Sequence, residues 1–117
     1  MENDKIKQIT EKIKKFRDER DWGKFHNPKE EAIDLIVEAG EVLEHFQWRN
    51  GKELDEYIKT HKQEISDELA DVFYCLLQLV DTLKIDLEKA FDSKMKQNEK
   101  KYPIDKAKGK PTKYNEL

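Results

Sequence analysis

Four carboxylates carry the most distinctive chemistry in this sequence. Glu38 and Glu41 lie three residues apart in IDLIVEAGEVLEHFQW (33–48), and Glu68 and Asp71 repeat that spacing in ISDELADVFYCLLQLV (65–80). On a helix, residues at i and i+3 project from one face. Both pairs stand among apolar residues, where a carboxylate is costly unless something pairs with it. Two helices that each bring an acidic pair on an apolar frame suggest one site for a hard divalent cation. Mg2+ fits first and Mn2+ second, because Mg2+ takes oxygen ligands, keeps several waters and is commonly held by a few carboxylates plus substrate phosphates. Either pair alone would read as an exposed ion-pair face; the recurrence inside two apolar runs favours the metal. A closed zinc site is excluded, since Cys75 is the lone cysteine and His26, His45 and His61 form no paired motif. A di-iron bundle would use Glu-x-x-His, whereas these pairs are Glu-x-x-Glu and Glu-x-x-Asp.

Two further groups complement a cation. Lys94, Asn98 and Lys101 follow at i, i+4 and i+7, with Tyr102 next in sequence. Lysines as point charges, with asparagine and tyrosine as donors, are suited to phosphate oxygens. Trp22, Phe25 and His26 crowd the loop RDWGKFHNP (20–28), and Trp48 closes the second acidic segment. These aromatics serve either as a hydrophobic staple at a helix entry or as a wall on which a flat base stacks. Carboxylates, phosphate donors and aromatics together match a nucleoside triphosphate, with water attacking phosphorus as the reaction.

The elements that must position these groups are helical throughout. Ile6, Ile9, Ile13 and Phe16 give an amphipathic first helix over 4–20, a stripe that core packing alone accounts for. Asn27-Pro28, with Glu30 at the capping-box place, starts a second helix running to Trp48, which Asn50-Gly51 ends. That helix is apolar on more than one face, as a helix buried on several sides would be. Asp34, Glu38, Glu41 and His45 fall along one line of it, and His45 reads as a helix-surface residue rather than a ligand. Residues 51–63 are polar and predict a connection with a short helical turn. A third helix covers 63–83. Asp86 caps a fourth over 87–101, which stops at Pro103. The expected architecture is an all-α, four-helix bundle-like protomer over 1–103, followed by a Lys-rich extended tail over 104–117 that is either solvated or folded over an anionic ligand.

Composition agrees. The 117 residues suit one domain, 42% are charged, and the net charge is only -3. No global basic field for nucleic acid results. No apolar run approaches the roughly 20 residues of a membrane span, and a cytoplasmic protein is the default expectation. Cys75, within an apolar run, reads as a buried inert thiol.

In RDWGKFHNP (20–28), EAGEVLEHFQW (38–48), DELADV (67–72), SKMKQNEKKYP (93–103) and the closing KYNEL, the chain resembles the MazG-like all-α nucleoside triphosphate pyrophosphohydrolases, within them the dCTP pyrophosphatase branch. The resemblance spans nearly the whole chain. It implies Mg2+-dependent cleavage of an NTP or dNTP to the monophosphate and pyrophosphate. It also implies Glu38, Glu41, Glu68 and Asp71 as metal ligands, and Lys94, Asn98, Tyr102 and Lys101 as phosphate contacts. Trp22 and Trp48 would line a base pocket, with Phe25 and His26 beside them, in intertwined homodimers or dimers of dimers whose sites lie between subunits. One departure is evident: animal members use a first-helix His to contact cytosine, and the matching position is Ile13, which cannot hydrogen-bond a base edge.

The leading expectation is therefore a Mg2+-dependent (d)NTP pyrophosphohydrolase that cleans the nucleotide pool, acting on dCTP or a modified dNTP. The alternatives are a non-catalytic nucleotide-binding or regulatory bundle, and a structural helical oligomer with solvated acidic faces.

Overall fold

A computed structural model describes residues 4–116. Met1–Asn3 and the final Leu117 of KYNEL lie outside the described residues. Six α-helices and no strand occur among those described: α1 (Lys5–Glu19), α2 (Pro28–Phe46), α3 (Gly51–Thr60), α4 (Lys62–Thr82), α5 (Leu87–Lys101) and α6 (Ile104–Ala107). None of them is long and apolar enough to cross a membrane.

The helix starts follow local chemistry. Asp4 caps α1 by accepting from the Lys7 N–H at 3.0 Å. Asn27 caps α2 by accepting from the Glu30 N–H at 2.9 Å, with Pro28 as the first helical residue. Asp86 does the same for α5 through the Lys89 N–H at 3.1 Å. Each side chain satisfies a backbone donor that has no partner within the helix.

Three expectations are corrected. First, α2 ends at Phe46, because Gln47 turns extended and Trp48 takes φ +70; Trp48 stands outside the helix. Second, residues 51–63 hold a full ten-residue helix, α3, separated from α4 only by His61. Asn50 and Gly51 (φ +54) begin that helix rather than only ending the one before. Third, the segment beyond residue 103 is not wholly extended, since it contains α6 and a 3-10 turn at Tyr114–Glu116.

The chain divides into two compact units, Met1–Lys84 and Ile85–Leu117, so the Lys-rich tail groups with α5. In the first unit α2 packs along α4, and α1 and α3 also pack on α4. Leu77, Ile13, Ile65 and Cys75 are its buried apolar residues. Other large apolar side chains of α2 and α4, such as Leu35, Phe46, Leu76 and Val80, are half-buried, while a second set faces outward, with Ile36 71% exposed and Val37, Leu43, Leu69 and Phe73 also exposed.

One polar contact within the helix pair involves a fully buried carboxylate. Glu31, in the first turn of α2, is 0% exposed. Its Oε2 accepts from the Thr82 hydroxyl at 2.9 Å, and its Oε1 has no hydrogen-bond partner. The helix N-terminus favours negative charge there, but the hydroxyl is the one side-chain donor to it among the described residues. Thr82→Val, which keeps the shape, is expected to lower unfolding free energy by about 1–3 kcal/mol. Glu31→Leu combined with Thr82→Val is expected to recover most of that loss. Urea denaturation of the two variants checks both.

Candidate functional site

The first unit contains an open cavity of about 700 Å³ between α1, α2 and α4. One side is apolar. Ile9, Ile13 and Phe16 of α1 line it at successive helical turns, together with Trp22. Phe16 meets Trp22 edge-on at 5.6 Å and Tyr74 edge-on at 6.3 Å, and the Arg20 guanidinium lies 3.8 Å over the Phe16 ring. The α1 stripe read in the sequence as core packing is thus the cavity wall. Core-facing and cavity-facing helices share the same periodicity.

The other side is acidic. Asp34 and Glu38, one turn apart on α2, and Asp71 on α4 face the cavity, with Tyr74 and Cys75 one turn beyond Asp71. Lys12 is the one cation among the lining residues. Burial pushes the Glu38 carboxyl above its usual range. A side-chain hydrogen bond with Glu41 adds to this, as do the negative charges of Glu41, Asp71 and Glu68. The Oε2 of Glu38 is buried with no hydrogen-bond partner. Cys75 is buried too, and its thiol is pushed up to about 11, first by burial and then by Glu38, Asp34 and Asp71. Burial likewise raises the Tyr74 phenol, against the opposing pull of Arg17.

These contacts sort the residues picked out in the sequence. Glu38 and Asp71 share the cavity wall, and Glu41 and Glu68 act on Glu38. Glu68 also pairs with His45, which is buried; the helix-surface reading of that histidine is corrected. Among the described residues no three His, Cys, Asp or Glu side chains stand as a ready-made ligand cluster. Trp22 lines the cavity, but His26 and Trp48 do not. His26 is held instead by the buried Gln78, whose Nε2 lies 3.1 Å from its Nδ1. Trp48 follows the far end of α2, a helix of 19 residues, or about 28 Å, from the end nearest Trp22. It is 87% exposed.

Lys94, Asn98 and Lys101 lie on α5 and Tyr102 caps it, all in the second unit. There the Tyr102 ring meets Tyr114 edge-on at 6.2 Å, and the Lys101 ammonium stands 4.7 Å from the Tyr114 ring centre. Sequence reasoning missed Asp34, Lys12 and Tyr74 as site residues. Asp34 had a signal, since it stands four residues before Glu38 on the acidic line of α2.

A cavity with an aromatic side and an acidic side can take a flat, partly apolar ligand that brings or shares a cation. The comparisons with known proteins agree with that chemistry. Over 104 residues the chain is 36% identical to dCTP pyrophosphatase 1 of Rattus norvegicus, a match covering 87% of this chain and 61% of that protein. The Homo sapiens dCTP pyrophosphatase 1 matches at the same identity and coverage. The chain thus spans about three-fifths of the length of these curated relatives. Among solved structures, a pyrophosphatase from Archaeoglobus fulgidus is similar with a TM-score of 0.77 and 38% identity, over 83% of this chain and 91% of that one. The MazG-like family model matches residues 33–117, a span that holds both acidic pairs and all of α3 to α6, and the chain belongs to that family.

Proposed function

We propose that this protein hydrolyses a nucleoside triphosphate to the monophosphate and pyrophosphate, with Mg2+, or Mn2+ in its place, as cofactor. The observation that carries the reading is Glu38. It lines a cavity with an aromatic wall, has a buried oxygen without a partner, and is crowded by the charges of Glu41, Asp71 and Glu68. A divalent cation would relieve that repulsion and supply the missing partner, and hard oxygen donors suit Mg2+. Glu38, Glu41, Glu68 and Asp71 would hold it, and when bound it supplies positive charge at the phosphate oxygens. The activities named for the Rattus norvegicus and Archaeoglobus fulgidus relatives support the same reading.

The chain's own groups have the following parts. Trp22 and Phe16 stack against the base, and Ile9 and Ile13 close the apolar side. A carboxylate of the four that is not fully engaged accepts a proton from the attacking water. The new bond joins water oxygen to phosphorus, and the bond to the pyrophosphate oxygen breaks. Lys94, Asn98, Lys101 and Tyr102 have the donors that phosphate oxygens take. dCTP is the first substrate to test, followed by modified dNTPs. Phosphate release measured with and without added inorganic pyrophosphatase distinguishes pyrophosphate from orthophosphate as the product. Glu41→Gln and Asp71→Asn are each expected to lower kcat by about 100-fold or more. Unchanged turnover in both variants would sink the assignment.

A homodimer or homotetramer belongs to the same proposal. The outward apolar face of α2 and α4, with Ile36, Leu43, Leu69 and Phe73, suits coverage by a second copy. Trp48 is exposed and remote from Trp22, so its place against a base would be in the site of a second copy. The protein is expected to elute above its 14.0 kDa monomer mass. Charged substitution of Ile36 and Leu69 together is expected to shift it to monomer, read by light scattering. Trp48→Ala is expected to raise KM several-fold, by about 1 kcal/mol of lost stacking.

Proton and metal should compete. The folded-state pKa of Glu38 lies above its ordinary value of 4.5. Above that pH the metal-free folded protein holds more proton than the unfolded chain, so this group's contribution to stability is lost as pH rises through the folded-state value. The difference in thermal midpoint between wild type and Glu38→Gln should therefore move against wild type from pH 4.5 toward neutrality. Saturating Mg2+ should reverse the sign.

A further inference from the structure

His45 is nine-tenths buried near the end of α2, and both ring nitrogens are engaged. Its Nε2 pairs with the Glu68 carboxylate of α4, and its Nδ1 lies 2.7 Å from the Tyr57 hydroxyl of α3. An ionised carboxylate can only accept, so Nε2 carries a proton. In the neutral ring Nδ1 is then the acceptor, and the Tyr57 O–H donates to it.

The tyrosine is itself fixed on two sides. The Arg49 guanidinium lies 3.7 Å from the centre of its ring, and the His61 ring stacks on it at 3.9 Å. Arg49 also donates to the His45 carbonyl at 3.0 Å and the Glu44 carbonyl at 3.2 Å. The series Arg49/His61–Tyr57–His45–Glu68 runs from side chains that do not line the cavity to one of the four carboxylates proposed to hold the cation.

We infer that His45 is a positioning residue that holds Glu68 ready for a divalent cation, with Tyr57 of α3 fixing the tautomer that lets it do so. The inference rests on the proposed function for the cation at Glu68. The Glu68 oxygen in ion-pair contact with Nε2 is buried, which leaves the other for the metal. Restricting the side chain before binding removes part of the ordering cost that a free glutamate would meet on coordination. Partners of this kind, which orient a ligand without touching the metal, tune affinity strongly. A purely structural role, pinning α2 to α4, would instead show in folding stability and leave metal affinity alone.

Replacements that keep one nitrogen position at a time separate the two roles. The amide nitrogen of glutamine reaches the Nε2 position, and that of asparagine reaches the Nδ1 position. The full-length, metal-free protein is titrated with Mn2+ alone, without nucleotide, and free Mn2+ is read by electron paramagnetic resonance; thermal midpoints are recorded without metal. His45→Gln should bind Mn2+ within about threefold of wild type, and His45→Asn about tenfold or more weakly, with Tyr57→Phe between them.

Equal affinity in wild type, His45→Gln and His45→Asn would overturn the inference. So would losses that simply follow the fall in thermal midpoint across the three variants. Glu38→Gln is the control for the underlying reading. If it loses Mn2+ while His45→Asn keeps it, the cation site stands and the role of His45 falls. If wild type binds no Mn2+, both fall.

Discussion

Like charges brought together at the α2–α4 interface are the constraint from which the rest of this structure takes its meaning. Glu38 meets Glu41, Asp71 and Glu68 in a setting that also desolvates it, and all of these influences favour its protonated form. A helix pair held together by apolar packing does not need such a cluster for folding. The cluster opposes folding in the absence of a cation, because each additional negative charge raises the free energy of the others. The surrounding packing must therefore offset it. Leu77, Ile65 and Cys75 on α4 and Ile13 on α1 are the buried apolar residues available for that within the first unit.

The same interface carries polar contacts at several levels along α4. In its second turn Glu68 meets His45; farther along, Gln78 meets His26; at its end Thr82 meets Glu31. Each joins a residue of α2 or its entry loop to α4, and each involves a buried side chain. Polar contacts in low dielectric are costly when misaligned. They therefore select one longitudinal register of α2 against α4, where apolar packing alone would tolerate sliding. Register matters here because Glu38 and Asp71 come from different helices and must face the same cavity.

Much of this was legible in the sequence, for identifiable reasons. The acidic pairs showed because glutamate inside an apolar run is rare, and the starts of α2 and α5 showed because Asn27-Pro28 and Asp86 are local signals that need no tertiary context. The helix α3 did not show. It is short and mostly polar, and it begins at Asn50-Gly51, a pair that reads in sequence as a stop signal for the helix before it. Its relevance comes from Tyr57, which matters only through contacts made in three dimensions. His45 was misread for the same reason, since an acidic partner on another helix leaves no mark at fixed spacing. The end of α2 was placed two residues too far because Trp48 has a backbone conformation that residue type does not announce.

Cys75 gives the cavity a property of another kind. Its thiol lies on the wall beside Asp34, Glu38 and Asp71, with its ionisation pushed up to about 11. At neutral pH the thiol therefore stays protonated, and the thiolate, the form that reacts with disulfides, peroxides and electrophiles, is scarce. Burial first, and the negative charges of the cavity wall second, keep the chain's single cysteine chemically quiet, and the cavity should keep its shape through swings in redox conditions that would modify an exposed thiol.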